Sequence, residues 1–402
     1  MQINSQERFN RTPLLLAMMI LATGQVGVSV YLPALPAISR DLMVGQDQVQ
    51  LLVTLFLVGF GLSQLFYGPA SDAMGRRPIF IMGQGVYLLG TIICVLMVDS
   101  FSGLVVGRLL QGLGAGSASV LGRSVLRDSY SGFTLTKALS YMSIMASILP
   151  ILGPVIGGWI AWHFGWQWIF GFVLIYIGAI FTLGLAILPE TLPYKPQPFK
   201  VLSVLKTYST LIKNRQIITS ASYNWLSYLS TVVSISLMPF LLQDGLGLTI
   251  AEYGELMIIP SAGLLVGSVI LNRLNQRFSS AQLLSSSFLI SAIAGLILIT
   301  TPTSLYSLIG AFTLLTISQG ISFPLSITLL LSPHTKNVGA ISALSGSIQM
   351  CFAGLLGGFL VQEFITNQLS LGLFYVVSAC CMATILLFNY KYQTFNQTAT
   401  NS

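Results

Sequence analysis

Long apolar runs, each close to the length of a membrane-crossing helix, alternate with short polar connections along the chain. A helix needs about 20 apolar residues to cross the hydrocarbon core of a bilayer. Because these runs are long and lack strict alternation, we interpret them as helices. Twelve runs reach this length: about 13–35, 48–71, 78–98, 103–124, 136–158, 166–188, 217–242, 252–271, 281–300, 304–330, 338–361 and 370–389. The pattern therefore predicts an all-α membrane protein with twelve transmembrane helices.

Composition excludes most other classes of protein. The 402 residues are 54% hydrophobic and only 7% charged, whereas an average soluble domain carries roughly 25% charged residues. A soluble enzyme, a disordered chain and a secreted disulfide scaffold are excluded. The four cysteines lie in apolar runs, and His163 and His334 lie in short connections. We therefore predict neither a metal site nor a cofactor.

The distribution of basic residues predicts the orientation. An even number of spans places both termini on one side, and the opposite loops hold only Arg40. The terminal side holds fifteen of the eighteen bases: Arg8, Arg11, Arg76, Arg77, Arg127, Lys137, Lys195, Lys200, Lys206, Lys213, Arg215, Arg273, Arg277, Lys336 and Lys391. Since cytoplasmic loops are enriched in bases, we expect both termini in the cytoplasm of a bacterium, with the protein in its inner membrane. The net charge of +7 then requires no nucleic-acid partner.

The chain divides into two halves that resemble each other. A connection rich in proline and lysine separates six spans from six. Adding 200 to first-half positions gives a weak second copy, in which Gly157-Gly158 matches Gly357-Gly358 and Arg77 matches Arg277. Such repeats are the architecture of alternating-access transporters. We predict four segments: an N-terminal six-helix bundle at 1–188, a cytoplasmic linker at 189–216, a C-terminal six-helix bundle at 217–390 and a cytoplasmic tail at 391–402.

The connection between spans two and three carries the first motif. It contains Gly68, Asp72, Gly75, Arg76 and Arg77. Gly68 permits close approach of helices, and Gly75 permits a tight turn. The carboxylate of Asp72 suits the positive N-terminal end of a neighbouring helix. The two arginines can pair with an acid or with lipid headgroups.

Span four contains an arginine, and span five contains a run of small residues. Arg108 lies about five residues inside span four, followed by Gln111. An arginine in a span is costly and normally functional, although snorkelling to the nearer membrane interface is the alternative. Span five carries glycines and prolines that permit close helix contact and bend the helix; they are Pro150, Gly153, Pro154, Gly157 and Gly158.

These three motifs, in this order, resemble those of the major facilitator superfamily. Tyr31-Leu32-Pro33-Ala34 and Arg127-Asp128 narrow the resemblance to the Bcr/CflA and EmrD-like drug:proton antiporters. The resemblance implies that the first motif latches the inner gate and that Arg108 takes part in proton coupling. It also implies that the glycine and proline signature on helix five accompanies efflux antiport. Helices one, four, seven and ten are then expected to line a substrate cavity.

Polar residues in the spans support such a cavity. Ser220, Asn224, Ser227, Thr231 and Ser234 recur in steps of three and four, which places them on one face of span seven. Hydrogen bonding between helices is the alternative explanation of this face. Our candidate substrate-cavity residues are Gln25, Ser29, Tyr223, Asn224, Trp225, Ser227, Tyr228, Thr231, Gln319 and Ser322.

No acidic residue lies on a helix expected to line the cavity. Glu255, near the start of span eight, is the candidate proton carrier, because desolvation would raise the pKa of a buried carboxyl. The alternative is that Thr249 and Glu252 form a capping box and that Glu255 merely favours the helix N-terminus. The absence of a central acid also predicts tolerance of neutral or weakly acidic lipophiles.

Together these observations predict a multidrug efflux transporter that exports small amphipathic compounds in exchange for protons by alternating access. Its expected partners are those compounds, protons and the lipid bilayer, and we expect a monomer. The alternative is a transporter of the same fold that is specific for one metabolite. A non-transporting sensor is a third possibility, which loss of transport on neutralising Arg108 would exclude.

Overall fold

The computed structural model describes residues 12–192, 199–334 and 337–400, and within them the regular structure is helical. The first half contains α1 (Thr12–Ser29), α2 (Leu35–Asp41), α3 (Gln46–Val49), α4 (Leu51–Met74), α5 (Arg76–Leu96), α6 (Phe101–Ser129), α7 (Gly132–Phe164) and α8 (Gln167–Ile187). A 3-10 turn, Leu32–Ala34, connects α1 to α2. Arg8, Arg11, Lys195 and Lys336 of the predicted charge pattern lie outside the described residues.

The second half follows a helical linker segment. Its helices are α9 (Val201–Leu211) in the linker, then α10 (Arg215–Pro239), α11 (Ile250–Leu256), α12 (Ile258–Leu274), α13 (Ser280–Thr300), α14 (Leu305–Leu331), α15 (Val338–Glu363) and α16 (Gln368–Thr400). A π-helical turn, Phe240–Gly245, follows α10. The sequence did not predict α9, and α16 continues through most of the predicted tail.

The structure confirms the predicted helical membrane fold. Among the described residues, eleven helical segments are long and apolar enough to cross a bilayer. The twelfth predicted span lies on α7, a helix of 33 residues in which several side chains are not described. Most predicted boundaries agree to within a few residues, but α7 extends beyond its prediction of 136–158 at both ends.

Local sequence explains where several helices begin and end. Pro33 has no N–H to donate to the carbonyl of Ser29, the last residue of α1, so the helix stops there. The hydroxyl of Thr249 accepts a hydrogen bond from the N–H of Glu252, whose carboxylate accepts one in return, which forms the capping box of α11. Gly75 separates α4 from α5. Its φ is +108°, a backbone conformation that residues other than glycine rarely adopt.

The two halves meet mainly on one side of the membrane. We call the side that carries the linker the linker side and the opposite side the far side. On the far side, the amide of Gln243 donates to Pro33 O at 2.8 Å, and that of Gln362 donates to Asp47 O at 2.8 Å. An apolar cluster there draws on both halves and includes Phe56 and Phe240. The described clusters on the linker side each belong to one half.

The repeated glycine pairs make equivalent contacts in the two halves. A Cβ at Gly157 would collide with Val30, directly after α1, and one at Gly357 would meet α10, the helix of the second half that corresponds to α1. A Cβ at Gly158 would lie 2.7 Å from Ile250 O across the interface, and one at Gly358 would collide with Thr54 across the interface. In each pair, the first glycine packs within its half and the second packs against the other half, as expected for pseudo-symmetric bundles.

Candidate functional site

The motif between α4 and α5 folds into a buried charged cluster within the first half. Arg76 is 5% exposed. Its Nη1 donates to Ser71 Oγ at 2.7 Å and to a carboxylate oxygen of Asp72, and its Nε donates to Asp128 Oδ2 at 2.8 Å. Because Asp128 lies in the last turn of α6, the arginine ties α4, α5 and α6 together. Hydrogen bonds to two carboxylates and a hydroxyl offset the cost of removing the guanidinium charge from water.

Glu190, at the start of the linker, caps α5. Its two carboxylate oxygens accept hydrogen bonds from the backbone N–H groups of Arg76 and Arg77, at 2.8 and 3.2 Å. Partial burial acts to raise the pKa of Glu190, but the backbone donors of Arg76, Leu192 and Arg77 outweigh it and hold that pKa below its usual value. A Cβ at Gly75 would collide with this carboxylate. Any other residue at position 75 would therefore be strained by the positive φ and would also collide with Glu190.

Two features of this motif differ from the sequence expectation. Nothing lies within 4 Å of a Cβ built on Gly68, so the predicted close approach of helices at this residue is not made in this conformation. The carboxylate of Asp72 pairs with Arg76 instead of the predicted helix N-terminus, and its side chain is 58% exposed. The guanidinium of Arg77 donates to Leu185 O at 3.0 Å on α8.

Arg108 lies deep inside the first half and is 2% exposed. Its guanidinium donates to Gly27 O at 3.0 Å and to Leu52 O at 3.2 Å, and it also donates to Gln111 Oε1 at 2.7 Å. The two carbonyls belong to α1 and α4, and α6 carries the arginine itself. Snorkelling, the alternative considered for Arg108, is therefore wrong, because the charge is directed into the bundle.

Aromatic rings enclose the Arg108 guanidinium. Its central carbon lies 3.8 Å from the ring centroid of Tyr31 and 4.1 Å from that of Phe56. Such contacts stabilise a desolvated cation. Gln111 extends the network by donating to Thr91 Oγ1 of α5 at 3.0 Å. No ion pair to Arg108 occurs among the described residues, so backbone carbonyls, an amide and rings compensate the charge.

The small residues of α7 pack against both halves. A Cβ at Gly153 would collide with Ser29 of α1, while Gly158 lies against α11. In return, a Cβ at Gly254 of α11 would come within 2.6 Å of Pro154 O. Pro150 lies one turn before Pro154 in the same helix. The motif that the resemblance assigned to antiporters thus forms part of the far-side contact between the halves.

The predicted polar face of α10 is present, and much of it makes hydrogen bonds between helices. Thr231 donates to Gln319 Oε1 at 2.9 Å, and the Gln319 amide donates to Ser227 O at 2.9 Å. Ser227 and Ser322 are 3.4 Å apart. These contacts join α10 to α14 and support the alternative of hydrogen bonding between helices for this part of the face.

Other candidate residues of α10 have different surroundings. Asn224 donates to Gln349 Oε1 at 2.7 Å, and Trp225 Nε1 donates to Ser345 O at 3.0 Å, both on α15. Tyr223 is fully buried against Phe288 within the second half, with ring centroids 5.7 Å apart, and so faces away from the interface. The candidates that keep a partly exposed surface are Gln25, Asn224, Trp225, Tyr228 and Thr231.

Glu255 lies on the surface of α11. The capping box of Thr249 and Glu252 is present, as the alternative explanation of this segment required. The far side does hold an ion pair between the halves, Arg40 with Asp244, whose side chains are 59% and 46% exposed. A pocket of about 320 Å³ lies beside this pair, lined partly by Trp166.

Sequence reasoning missed four residues of the site. Asp128 and Glu190 complete the charged cluster, and Ser345 and Gln349 complete the polar contacts of α10. The sequence showed these residues only as acids at the ends of spans and as single polar groups in an apolar helix. Which partner each would contact depended on long-range packing between helices.

Residues 14–358 match the sequence profile of the Major Facilitator Superfamily. The chain belongs to this superfamily. The transporter is 28% identical over 368 residues to Multidrug resistance protein D of Escherichia coli (strain K12), covering 90% of this chain and 91% of that protein. It is 28% identical to Multidrug resistance protein MdtL of Escherichia coli O81 (strain ED1a), covering 82% and 83%. It is 29% identical to the uncharacterized MFS-type transporter YdgK of Bacillus subtilis (strain 168), covering 84% and 85%.

Solved structures confirm the fold. The human organic anion transporter MFSD10 superposes with a TM-score of 0.67 at 14% identity, covering 95% of this chain and 100% of that one. A D-xylose-proton symporter superposes with a TM-score of 0.71 at 15% identity, covering 92% and 96%. At such low identity these neighbours establish the architecture alone. With the profile match and the eleven spans among the described residues, the chain is a multi-pass membrane protein of the Major Facilitator Superfamily.

Proposed function

We propose that this protein exports small amphipathic or lipophilic compounds across a bacterial inner membrane in exchange for protons. The observation that most directly supports this proposal is the far-side contact between the halves. The glycine and proline motif of α7 makes this contact against α11. Halves that touch on the far side and form separate clusters on the linker side suit one conformation of an alternating-access cycle. The similarity to the two multidrug resistance proteins supports drugs as the substrates.

The chemistry of the partly exposed candidates also suits such substrates. Trp225 and Tyr228 supply aromatic surface, while Asn224 and Thr231 supply neutral hydrogen-bonding groups. Sites with apolar walls and few polar groups bind amphipathic molecules. We propose cytoplasmic termini from the charge distribution, a monomer, no enzymatic activity, and Arg108 as the coupling residue with Gln111 orienting its guanidinium.

Transport in inside-out membrane vesicles tests this proposal. A fluorescent lipophilic drug should accumulate against its gradient when the vesicle lumen is acidified, and an uncoupler should stop the accumulation. Arg108→Gln protein, matched for the amount in the membrane, should show no accumulation. Uphill transport that persists after the proton gradient is collapsed would contradict proton exchange. Accumulation of one metabolite with no drug transported would favour the metabolite-specific alternative.

A further inference from the structure

The linker helix α9 exposes large apolar side chains. Leu202 is 81% exposed, Leu205 is 52% exposed and Val201 is 46% exposed. Ile212, directly after the helix, is 49% exposed. Apolar side chains concentrated on one short helix form a patch of the kind that marks an interaction surface. Unlike the spans, α9 lies in the segment that the sequence assigns to the aqueous side.

The face of α9 next to these apolar residues is docked on the protein, which fixes the orientation of the helix. Tyr208 is 7% exposed, and its hydroxyl donates to Leu65 O of α4 at 3.0 Å. Burial, with a smaller contribution from the negative charge of Asp72, raises the pKa of Tyr208 to about 12. Leu211 packs on the second half beside Ile217 and Ile341. No part of the described protein covers the apolar residues beside this docked face.

The contact with Leu65 indicates the level of α9 relative to the helices that span the membrane. Leu65 lies nine residues before the end of α4 at Met74, which corresponds to about 13 Å along a helix. Tyr208 consequently contacts the side of α4 and not its tip. A helix in that position presents its uncovered face to the region where the lipid headgroups meet the acyl chains.

The charge that the linker itself supplies around the exposed face is of one sign. Lys200, Lys206 and Lys213 are all exposed. The sequence contains no aspartate or glutamate between Glu190 and Asp244. At about 100° per residue, Lys206 lies immediately beyond Leu202 around the helix, between the apolar residues and the polar face. Lys213 lies in the turn that follows the helix. Lysines in this position extend towards headgroups while neighbouring apolar residues enter the bilayer.

We propose that α9 is an interfacial helix that inserts its apolar face into the surrounding bilayer and binds anionic phospholipid headgroups through Lys206 and Lys213. Anionic lipid is the occupant that the charge favours, because basic residues beside an apolar face at a membrane surface are attracted to phosphate groups. The inference extends beyond drug export, since it assigns a lipid-binding surface to the linker.

Hydrogen exchange of the full-length protein in nanodiscs tests this binding without any transport readout. Discs of pure phosphatidylcholine are compared with discs that contain phosphatidylglycerol, each with one protein per disc. We expect backbone amides of residues 201–212 to exchange several-fold more slowly in the anionic discs. Lys206→Gln/Lys213→Gln should abolish the difference. The matched double variant Arg273→Gln/Arg277→Gln, which removes the same charge on the same side, should preserve it.

Apolar insertion is tested separately from charge. Leu202→Ser/Leu205→Ser should speed exchange of these amides in both kinds of disc, whereas Thr210→Ser on the polar face should leave exchange unchanged. Equal exchange in the two lipids for the unmodified protein would overturn the proposal. Protection that appears only with two proteins per disc would identify a second copy as the occupant and would also overturn it.

Discussion

The two halves share a fold but stabilise it with different chemistry. In the first half, charged side chains are buried in two networks, one around Arg76 and one around Arg108. Adding 200 places Gln276 and Leu308 at the corresponding positions of the second half. Gln276 is exposed and Leu308 is buried in an apolar cluster. The second half joins its helices through neutral hydroxyl and amide groups such as those of Thr231 and Gln319.

From this difference we expect the two halves to have different roles. Charge-assisted hydrogen bonds are about twice as strong as neutral ones and hold one geometry. We therefore expect the first half to be the more rigid body, organised around fixed cations. Neutral contacts such as that between Asn224 and Gln349 are individually weak. We expect the second half to exchange them for contacts to an amphipathic ligand at a small cost in free energy.

The largest effect should come from Arg108. Arg108→Gln removes the charge-assisted hydrogen bonds to Gly27 O and Leu52 O in a buried site. We expect the free energy of unfolding to fall by roughly 2–4 kcal/mol and transport to be lost. Thermal unfolding in detergent and drug accumulation in vesicles measure the two effects. The matched change in the second half, Leu308→Met, conserves volume and should cost less than about 1.5 kcal/mol. Equal losses for both variants would show that the halves do not differ.

The glycines at the far-side interface should respond alike in both halves, since there the repeat is symmetric. Gly158→Leu and Gly358→Leu each place a side chain where the halves meet. We expect both to prevent far-side closure and to lower the transport rate at least about tenfold, because overpacking a close contact typically costs 1–3 kcal/mol. Gly178→Leu is the control, since nothing lies within 4 Å of a Cβ there. Initial rates in vesicles measure the effect, and normal transport by either interface variant would contradict the proposed contact.

The charged cluster on the linker side should give an intermediate effect. Arg76→Gln leaves the carboxylate of Asp128, which is 10% exposed, without its cation. Removing one partner of a buried pair typically costs 3–5 kcal/mol. Because Asp72 is more exposed and can be hydrated, we expect a loss near the lower limit, measured by thermal unfolding. Arg277 is exposed and corresponds to Arg77 in the repeat. Arg277→Gln should therefore change the free energy of unfolding by less than about 0.5 kcal/mol. A loss of similar size at both positions would refute the assignment of a buried network to the first half alone.

The smallest effect should come from Glu190 and should depend on pH. The pKa of Glu190 is lowered in the folded protein. Its carboxylate therefore stabilises the fold above the ordinary glutamate pKa, and this contribution is lost as the pH falls through the lowered value. Glu190→Gln should lower the Tm slightly at pH 7, and the difference should shrink below about pH 4. A difference in Tm that grows towards low pH would contradict the capping role.

The sequence was sufficient for the membrane fold because lipid imposes simple requirements on length and polarity. The run of spans, the repeat at Gly157-Gly158 and Gly357-Gly358, and the motif residues all followed from local pattern. The sequence was not sufficient to predict which side chains contact each other across the fold. Tyr223 shares a polar helix with Ser227 yet faces Phe288, and Arg108 finds carbonyls of two other helices. Such contacts depend on helix rotation and crossing, which periodicity does not specify. The linker helix α9 was missed because it is too short to produce a clear apolar period.

Rocking of the two halves is most directly measured by electron paramagnetic resonance distances in nanodiscs, on a background in which the four native cysteines are replaced. One spin-label pair joins exposed far-side positions, Gln48 and Asn367, and a second joins exposed linker-side positions, Ser131 and Asn275. Without drug, the far-side pair should be close and the linker-side pair far apart. Conditions that lengthen the first distance, including acidification of the far side, should shorten the second. Distances that change in the same direction, or a far-side pair that never separates during active transport, would contradict alternating access between the two bundles.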